Sequence, residues 1–157
     1  MTDDERLIGL AISQARTGLA EGGIPIGSVL ADGARVVGAG RNRRVQQASP
    51  ILHAEIDCLD RAGRLPAATY RRCTLYTTLS PCFLCAGAVL LYGIPRVVVG
   101  ENRTFATSER LLRDHGVQVD VLDLEECVEL MTTFIDARPL VWNEDIGVEA
   151  PEPDQGQ

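Results

Sequence analysis

Leu7, Ile8, Ala11, Ile12, Ala15 and Leu19 recur at helical spacing and predict an amphipathic helix ending at Gly22-Gly23. Thr2 and Glu5 form a capping box at its start. Residues 26–31 and 34–39 read as two strands of a hairpin around Asp32-Gly33. After His53, Ile56, Leu59 and Ala62 return to helical spacing, with Gly63 as the stop. Residues 74–79 (Thr-Leu-Tyr-Thr-Thr-Leu) are strand-like and feed directly into a second helix. There Ser80 is expected as the N-cap and Pro81 as the first helical residue. Ala86 to Leu91 form its buried body, which stops near Gly93 and Pro95. Arg96 to Gly100 reads as a buried strand. A short helix over about 108–114 and a strand over 117–122 follow. Asp123 is expected to cap a last helix, with Glu126 at its capping-box position, running to about Arg138.

Strands alternating with helices place the chain in the α/β class. They imply a largely parallel sheet, covered on both faces, with an antiparallel hairpin at one edge. The pattern gives one domain over 1–147, without internal repeats, and a polar, proline-rich tail over 148–157 that is expected to fray.

The chemistry lies in His53-Ala54-Glu55 and, downstream, Pro81-Cys82-Phe83-Leu84-Cys85. One imidazole and two thiolates can hold a zinc ion with its fourth tetrahedral position free for water, and a nearby carboxylate can move protons on and off that water. Cys82 and Cys85, three apart in the first turn of a helix, share a face and sit at the positive end of its dipole, which favours the thiolate. His53 and Glu55, two apart, do not share a face, which suits a ligand and a separate proton shuttle. A lone C-x-x-C also fits a redox pair or half of a structural zinc site. A structural site takes four protein ligands, however, and the remaining candidates, His115, Cys58, Cys73 and Cys127, are scattered without a second pair. Those three cysteines read as small buried residues and His115 as a surface residue.

Composition narrows the partners. A net charge of −7 opposes nucleic-acid binding, which draws its affinity from neutralised phosphates. The local clusters Arg41, Arg43, Arg44 and Arg71, Arg72 read as solvated surface arginines. No apolar run approaches the roughly 20 residues of a membrane span. Five cysteines, an odd number with two given to metal, suit a reducing cytoplasm.

The H-x-E and P-C-x-x-C pair is the signature of zinc-dependent nucleobase deaminases. Several further segments resemble the fungal-type cytosine deaminases: Glu21-Gly22-Gly23-Ile24-Pro25-Ile26-Gly27, Leu75 to Cys82, Tyr92-Gly93-Ile94-Pro95-Arg96, Gly100-Glu101-Asn102 and Trp142-Asn143-Glu144-Asp145-Ile146-Gly147. This resemblance implies a three-layer α/β/α sandwich built on a mixed five-stranded sheet with helices on both faces. It also implies a homodimer, one Zn2+ per chain with a catalytic water, and hydrolysis of free cytosine to uracil and ammonia in pyrimidine salvage. By position, His53, Cys82 and Cys85 match the metal ligands and Glu55 the proton shuttle. Asn42 and Asp145 match side chains that contact the base, and the backbone of Ser80 the acceptor for its amino group. Phe105 and Trp142 match aromatics that close over the ring, and Ile26 and Leu79 apolar walls. Ala54 stands where such enzymes have glycine, keeping the backbone N–H but adding a methyl group beside the ring. Arg103 and Thr104 also depart from the pattern.

Without the resemblance, Asn42 reads as a loop-satisfying amide, Phe105 and Trp142 as core, and Asp145 as a solvated acid. Other readings keep the zinc chemistry and change the pocket: a deaminase of isocytosine, guanine or a similar heterocycle, or, against the charge, a tRNA adenosine deaminase. A non-catalytic zinc-binding module is the reading from another class.

Overall fold

A computed structural model describes residues 1–149. The expected tail over 148–157 lies, from residue 150 onward, outside the described residues. Helix α1 (Asp3–Ala20) begins with the anticipated capping box, Thr2 accepting from Glu5 N–H and Glu5 from Thr2 N–H. Strands β1 (Gly27–Asp32) and β2 (Arg35–Arg41) form the hairpin, followed by α2 (Arg44–Gln47), α3 (Ala54–Ala62), α4 (Ala67–Tyr70) and β3 (Cys73–Leu79). Then come α5 (Phe83–Tyr92), β4 (Arg96–Glu101), α6 (Glu109–Asp114), β5 (Gln118–Val121), α7 (Glu125–Ala137) and α8 (Pro139–Asp145).

The five strands lie in the order β2-β1-β3-β4-β5. β3, β4 and β5 are mutually parallel, while β1 runs antiparallel to both β2 and β3. Strand alternation sends Val29, Ala31, Tyr76 and Val98 to one face, against Leu7, Ile8 and Ala11 of α1. Leu30, Leu75, Val97, Val99 and Val119 go to the other, against Cys58 of α3, Ala86 and Val89 of α5 and Leu112 of α6. The result is the expected three layers, with α3 and α5 on one face. A third apolar cluster, with Ile24, Ile26, Ala54, Leu79, Met131, Phe134 and Trp142, gathers at the end of the sheet where β3 finishes. Cys58, Cys73 and Cys127 are buried, unpaired thiols, and His115 is exposed, as the sequence suggested.

Several local expectations are corrected. The N-cap of α5 is Cys82 and not Ser80, because the β3–β4 ladder runs on: Ser80 N–H donates to Glu101 O at 2.9 Å. α7 is capped by Leu124 and not Asp123, since Leu124 N–H still bonds along β4 to Gly100 O at 2.8 Å. Asp123 takes a positive φ of 54° and accepts from Arg103 instead, while Glu126 pairs with Arg16. His53 is the N-cap of α3, one residue outside its first turn. The arginines read as solvated are mostly tied down. Arg41 pairs with Glu21, Arg43 with the fully buried Asp57, and Arg44, its side chain 8% exposed, with Glu144 and Asp145.

Two glycines set how closely the helices sit. A Cβ on Gly27 would lie 1.9 Å from Ala11 O, so α1 could not seat on β1. A Cβ on Gly40 would lie 2.4 Å from Cys58 N, in the backbone of α3. Gly40→Ala is therefore expected to destabilise the fold by at least about 2 kcal/mol, since neither backbone can yield cheaply. Urea denaturation measures this, and an unchanged midpoint would show that α3 can lift off β2 without loss.

Candidate metal centre and pocket

Two helix starts meet at the end of β3. His53 caps α3 and Cys82 caps α5, with Cys85 three residues into the latter. His53 Nδ1 lies 3.3 Å from Cys82 Sγ and 3.6 Å from Cys85 Sγ. Zinc–ligand bonds of roughly 2.0–2.1 Å to nitrogen and 2.3 Å to sulfur, at a tetrahedral angle, place such donors about 3.6 Å apart. The donor set and its spacing thus fit a zinc ion. Among the described residues these three form the only cluster of potential ligands, which leaves one tetrahedral position for water. The other ring nitrogen, His53 Nε2, faces Asp145 Oδ1 at 3.7 Å, an outer carboxylate of the kind that orients ligating imidazoles.

Left to themselves, the three side chains share protons unevenly. Cys82 receives a hydrogen bond from Cys85, which outweighs its burial, and with His53 beside it its pKa falls to about 4. Donating to Cys82, together with burial, holds the Cys85 thiol well above its ordinary range. Burial opposes charge on His53, but Cys82, Asp145 and Glu55 overcome it and raise its pKa to about 9.

Glu55, 4% exposed, sits just behind this cluster. Its Oε2 accepts from Cys85 Sγ at 3.2 Å and its Oε1 from Thr77 Oγ1 at 2.7 Å. Burial, then the Cys82 thiolate, raises its pKa, although His53 and Thr77 pull the other way. A carboxyl whose affinity for a proton is raised is better suited to accept one from water and pass it on. The Thr77 hydroxyl also lies 3.1 Å from Leu79 O. Thr77 went unnoticed in the sequence, where it reads as an ordinary strand residue; its inward register opposite α3 is what gives it a role.

The pocket is small and is lined by Ile26, Asn42, His53, Ala54, Glu55, Leu79, Ser80, Cys82, Phe105, Trp142 and Asp145, with Ile146 in addition. Every sequence-nominated residue therefore comes to this place; Cys85 lies behind the lining, within the cluster. Phe105 and Trp142 meet edge to face, ring centroids 5.8 Å apart. Asn42 and Asp145, neither of them solvated, bond to each other, Nδ2 donating to Oδ1 at 3.0 Å. Asn42 Oδ1 is taken by Arg44 N–H at 3.1 Å. The Ser80 hydroxyl points away, donating to Glu109 Oε2 at 2.6 Å, while no backbone donor among the described residues takes its carbonyl.

Arg103 and Thr104, the two departures, grip the fully buried Glu101: their backbone N–H groups donate to its Oε2 at 2.7 and 3.0 Å, so the loop before Phe105 is anchored.

Loading Zn2+ at pH 7 is expected to release about two protons, one from His53 and one from Cys85, because the bound ion requires neutral imidazole and thiolates. Calorimetric titration in buffers of differing ionisation enthalpy counts them; release of none would contradict this proton inventory.

Comparison with known proteins agrees with the geometry. The model of the cytidine and deoxycytidylate deaminase zinc-binding region matches residues 1–101. A cytosine deaminase of Candida albicans is 51% identical over 146 residues, covering 92% of this chain and 97% of the relative. A tRNA-specific adenosine deaminase of Haemophilus influenzae is 38% identical over 147 residues, covering 86% and 84%. Among solved structures, a tRNA:A34 deaminase that edits A to I superposes with a TM-score of 0.65 at 26% identity, over 76% of this chain and 99% of that one. With its three zinc donors, its buried glutamate and its five-stranded sheet, the chain belongs to the cytidine and deoxycytidylate deaminase family of zinc-dependent hydrolases.

Proposed function

We propose that this chain deaminates free cytosine to uracil and ammonia, as a homodimeric enzyme of pyrimidine salvage in the cytoplasm. The observation that carries the choice of base is the Asn42–Asp145 pair. One N–H of the Asn42 amide remains after its bond to Asp145, and Asp145 Oδ2 has no partner among the described residues. A donor beside an acceptor complements a ring edge presenting C=O next to N–H. Free cytosine offers that edge at C2 and N1, whereas in a nucleoside N1 carries the sugar. The Ala54 N–H, unpaired in the first turn of α3, adds a second donor for the carbonyl. The 51% identity to a cytosine deaminase supports the same reading.

Bound zinc supplies a water acidic enough to act as nucleophile near neutral pH. The rest falls to the chain. Ile26, Leu79, Phe105 and Trp142 hold the ring in an apolar slot and keep bulk water out, and the Ser80 carbonyl is available to the exocyclic amine. Glu55 takes a proton from the attacking water as the C4–O bond forms, and passes it to the ring nitrogen N3. It then takes the second proton and gives it to the amino group, which leaves as ammonia when the C4–N bond breaks. An RNA substrate is disfavoured by the charge of −7 and by arginines already committed to carboxylates.

Phe83, Leu84, Leu91 and Tyr92 stand 63, 46, 75 and 41% exposed along α5, beside a groove that Ile56 and Leu59 of α3 help to line. An apolar face of this kind, adjoining both metal-bearing helices, is where a second copy of the chain would pack by two-fold symmetry. No helix among the described residues is long and apolar enough to cross a membrane.

The zinc-loaded protein is expected to release ammonia from cytosine and not from cytidine. Glu55→Ala should retain zinc and lose at least about 10²–10⁴ of the rate. Turnover of cytidine, or of guanine in place of cytosine, would overturn the base assignment while keeping the metal chemistry. Leu91→Glu should halve the mass seen by light scattering; a monomeric parent would remove the dimer.

A further inference from the structure

We infer that Arg44 is a positioning residue: it latches helix α8, and with it Asp145 and Trp142, closed over the pocket. This rests on the reading that Asp145 and Trp142 meet the base. Helix α8 joins α7 through a single residue: Arg138 is at once the C-cap of α7 and the N-cap of α8, and Pro139 opens the next turn. With φ −137° and ψ 59° it belongs to neither helix, so it is the natural pivot. At the far end, about 10 Å away along seven residues, the Arg44 guanidinium grips the helix beside the Asn42–Asp145 bond. Arg44 Nη1 and Nη2 donate to the two carboxylate oxygens of Glu144 at 2.6 and 2.8 Å, a two-pronged fork. Nη1 also donates to Asp145 Oδ1 at 3.2 Å, and Nε to Pro50 O at 2.9 Å.

The backbone N–H of the same residue fixes the amide of Asn42, and Pro50 lies on the segment leading into the metal ligand His53. Arg44 therefore joins the helix that covers the pocket to the two segments that floor it. Its charge is withdrawn from solvent, which makes the fork stronger than an exposed pair. Trp142 lines the same pocket as Glu55 and is 6% exposed with the latch shut. When α8 swings away, the fork, the Asn42–Asp145 bond and the Phe105–Trp142 contact separate together. The residue that recognises the base leaves with the cover, so opening both releases product and abolishes affinity. Affinity then scales with the closed fraction of the protein.

Trp142 is the chain's one tryptophan, so its emission reports the position of α8 directly. Arg44→Lys keeps the charge and loses the fork. Glu144→Gln alters only the exposed half of the pair and leaves every pocket residue in place. In the zinc-loaded proteins without substrate, both should red-shift Trp142 emission and increase its quenching by acrylamide, with zinc content and melting temperature close to the parent. KM for cytosine should rise about ten- to a hundred-fold in Arg44→Lys, the worth of a charged hydrogen-bond pair, with kcat changed by less than about three-fold. The double variant should be no worse than Arg44→Lys alone, because both remove the same fork. Trp142 as shielded as in the parent, or a KM rise matched by equal losses in kcat and melting temperature, would overturn the latch. Increased quenching in a protein whose parent does not turn over cytosine would uphold the latch and sink the substrate assignment instead.

Discussion

α3 lies on β2 so closely that the Cys58 amide nitrogen occupies the space a side chain on Gly40 would need. That approach decides where the first residues of α3 are, and hence where His53 points. On the far side, the β3–β4 ladder carries the chain straight to Cys82 before α5 begins. Three donor atoms that all lie within 4.8 Å of one another demand that two helix starts be placed with sub-ångström tolerance. The sheet meets that demand because both helices pack on the same face of it. Asp57 reinforces the seat: buried within α3, it accepts from the Arg41 amide and from the side chains of Arg43 and Arg61, pinning the helix to the end of β2.

The site has a second construction problem, that of combining a dry interior with a way in. Its floor is rigid, made of strand ends and helix starts. Its cover is made of late, short elements: the loop carrying Phe105, held by Glu101, and α8, held by Arg44 and by Trp142 against the apolar cluster. Both anchors are charged groups removed from solvent, whose full hydrogen-bonding capacity has to be met inside. Such anchors favour one geometry over neighbouring ones, whereas apolar contacts alone would tolerate sliding.

The regular elements and the zinc donors were legible because they depend on local patterns: helical spacing, alternation, and a ligand motif with few substitutes. The five strands and the long helices fall where the periodicity put them. The errors share one cause. Ser80 and Asp123 are good caps in isolation, but tertiary ladder bonds carried the chain two residues further in the first case and one in the second. The one-turn helices α2 and α4 and the two-turn α8 are too short to show a period, although Pro139 at the start of α8 is a readable signal. Arg44 looked like a solvated charge because its carboxylate partners lie 100 residues away, and Thr77 looked like ordinary strand because only the register against α3 reveals what it faces.

Thr77 has one hydroxyl hydrogen and two acceptors within reach, the Glu55 carboxyl and the Leu79 carbonyl. With Glu55 ionised, the hydrogen points to the carboxylate. With Glu55 protonated, the acid can donate to the hydroxyl, whose own hydrogen turns to Leu79. The reversal moves no heavy atom and leaves no buried polar group alone on either side of it. A single rotating bond therefore lets the interior accept a travelling proton without rearranging, and the surrounding wall can stay rigid through a cycle in which its charge changes repeatedly.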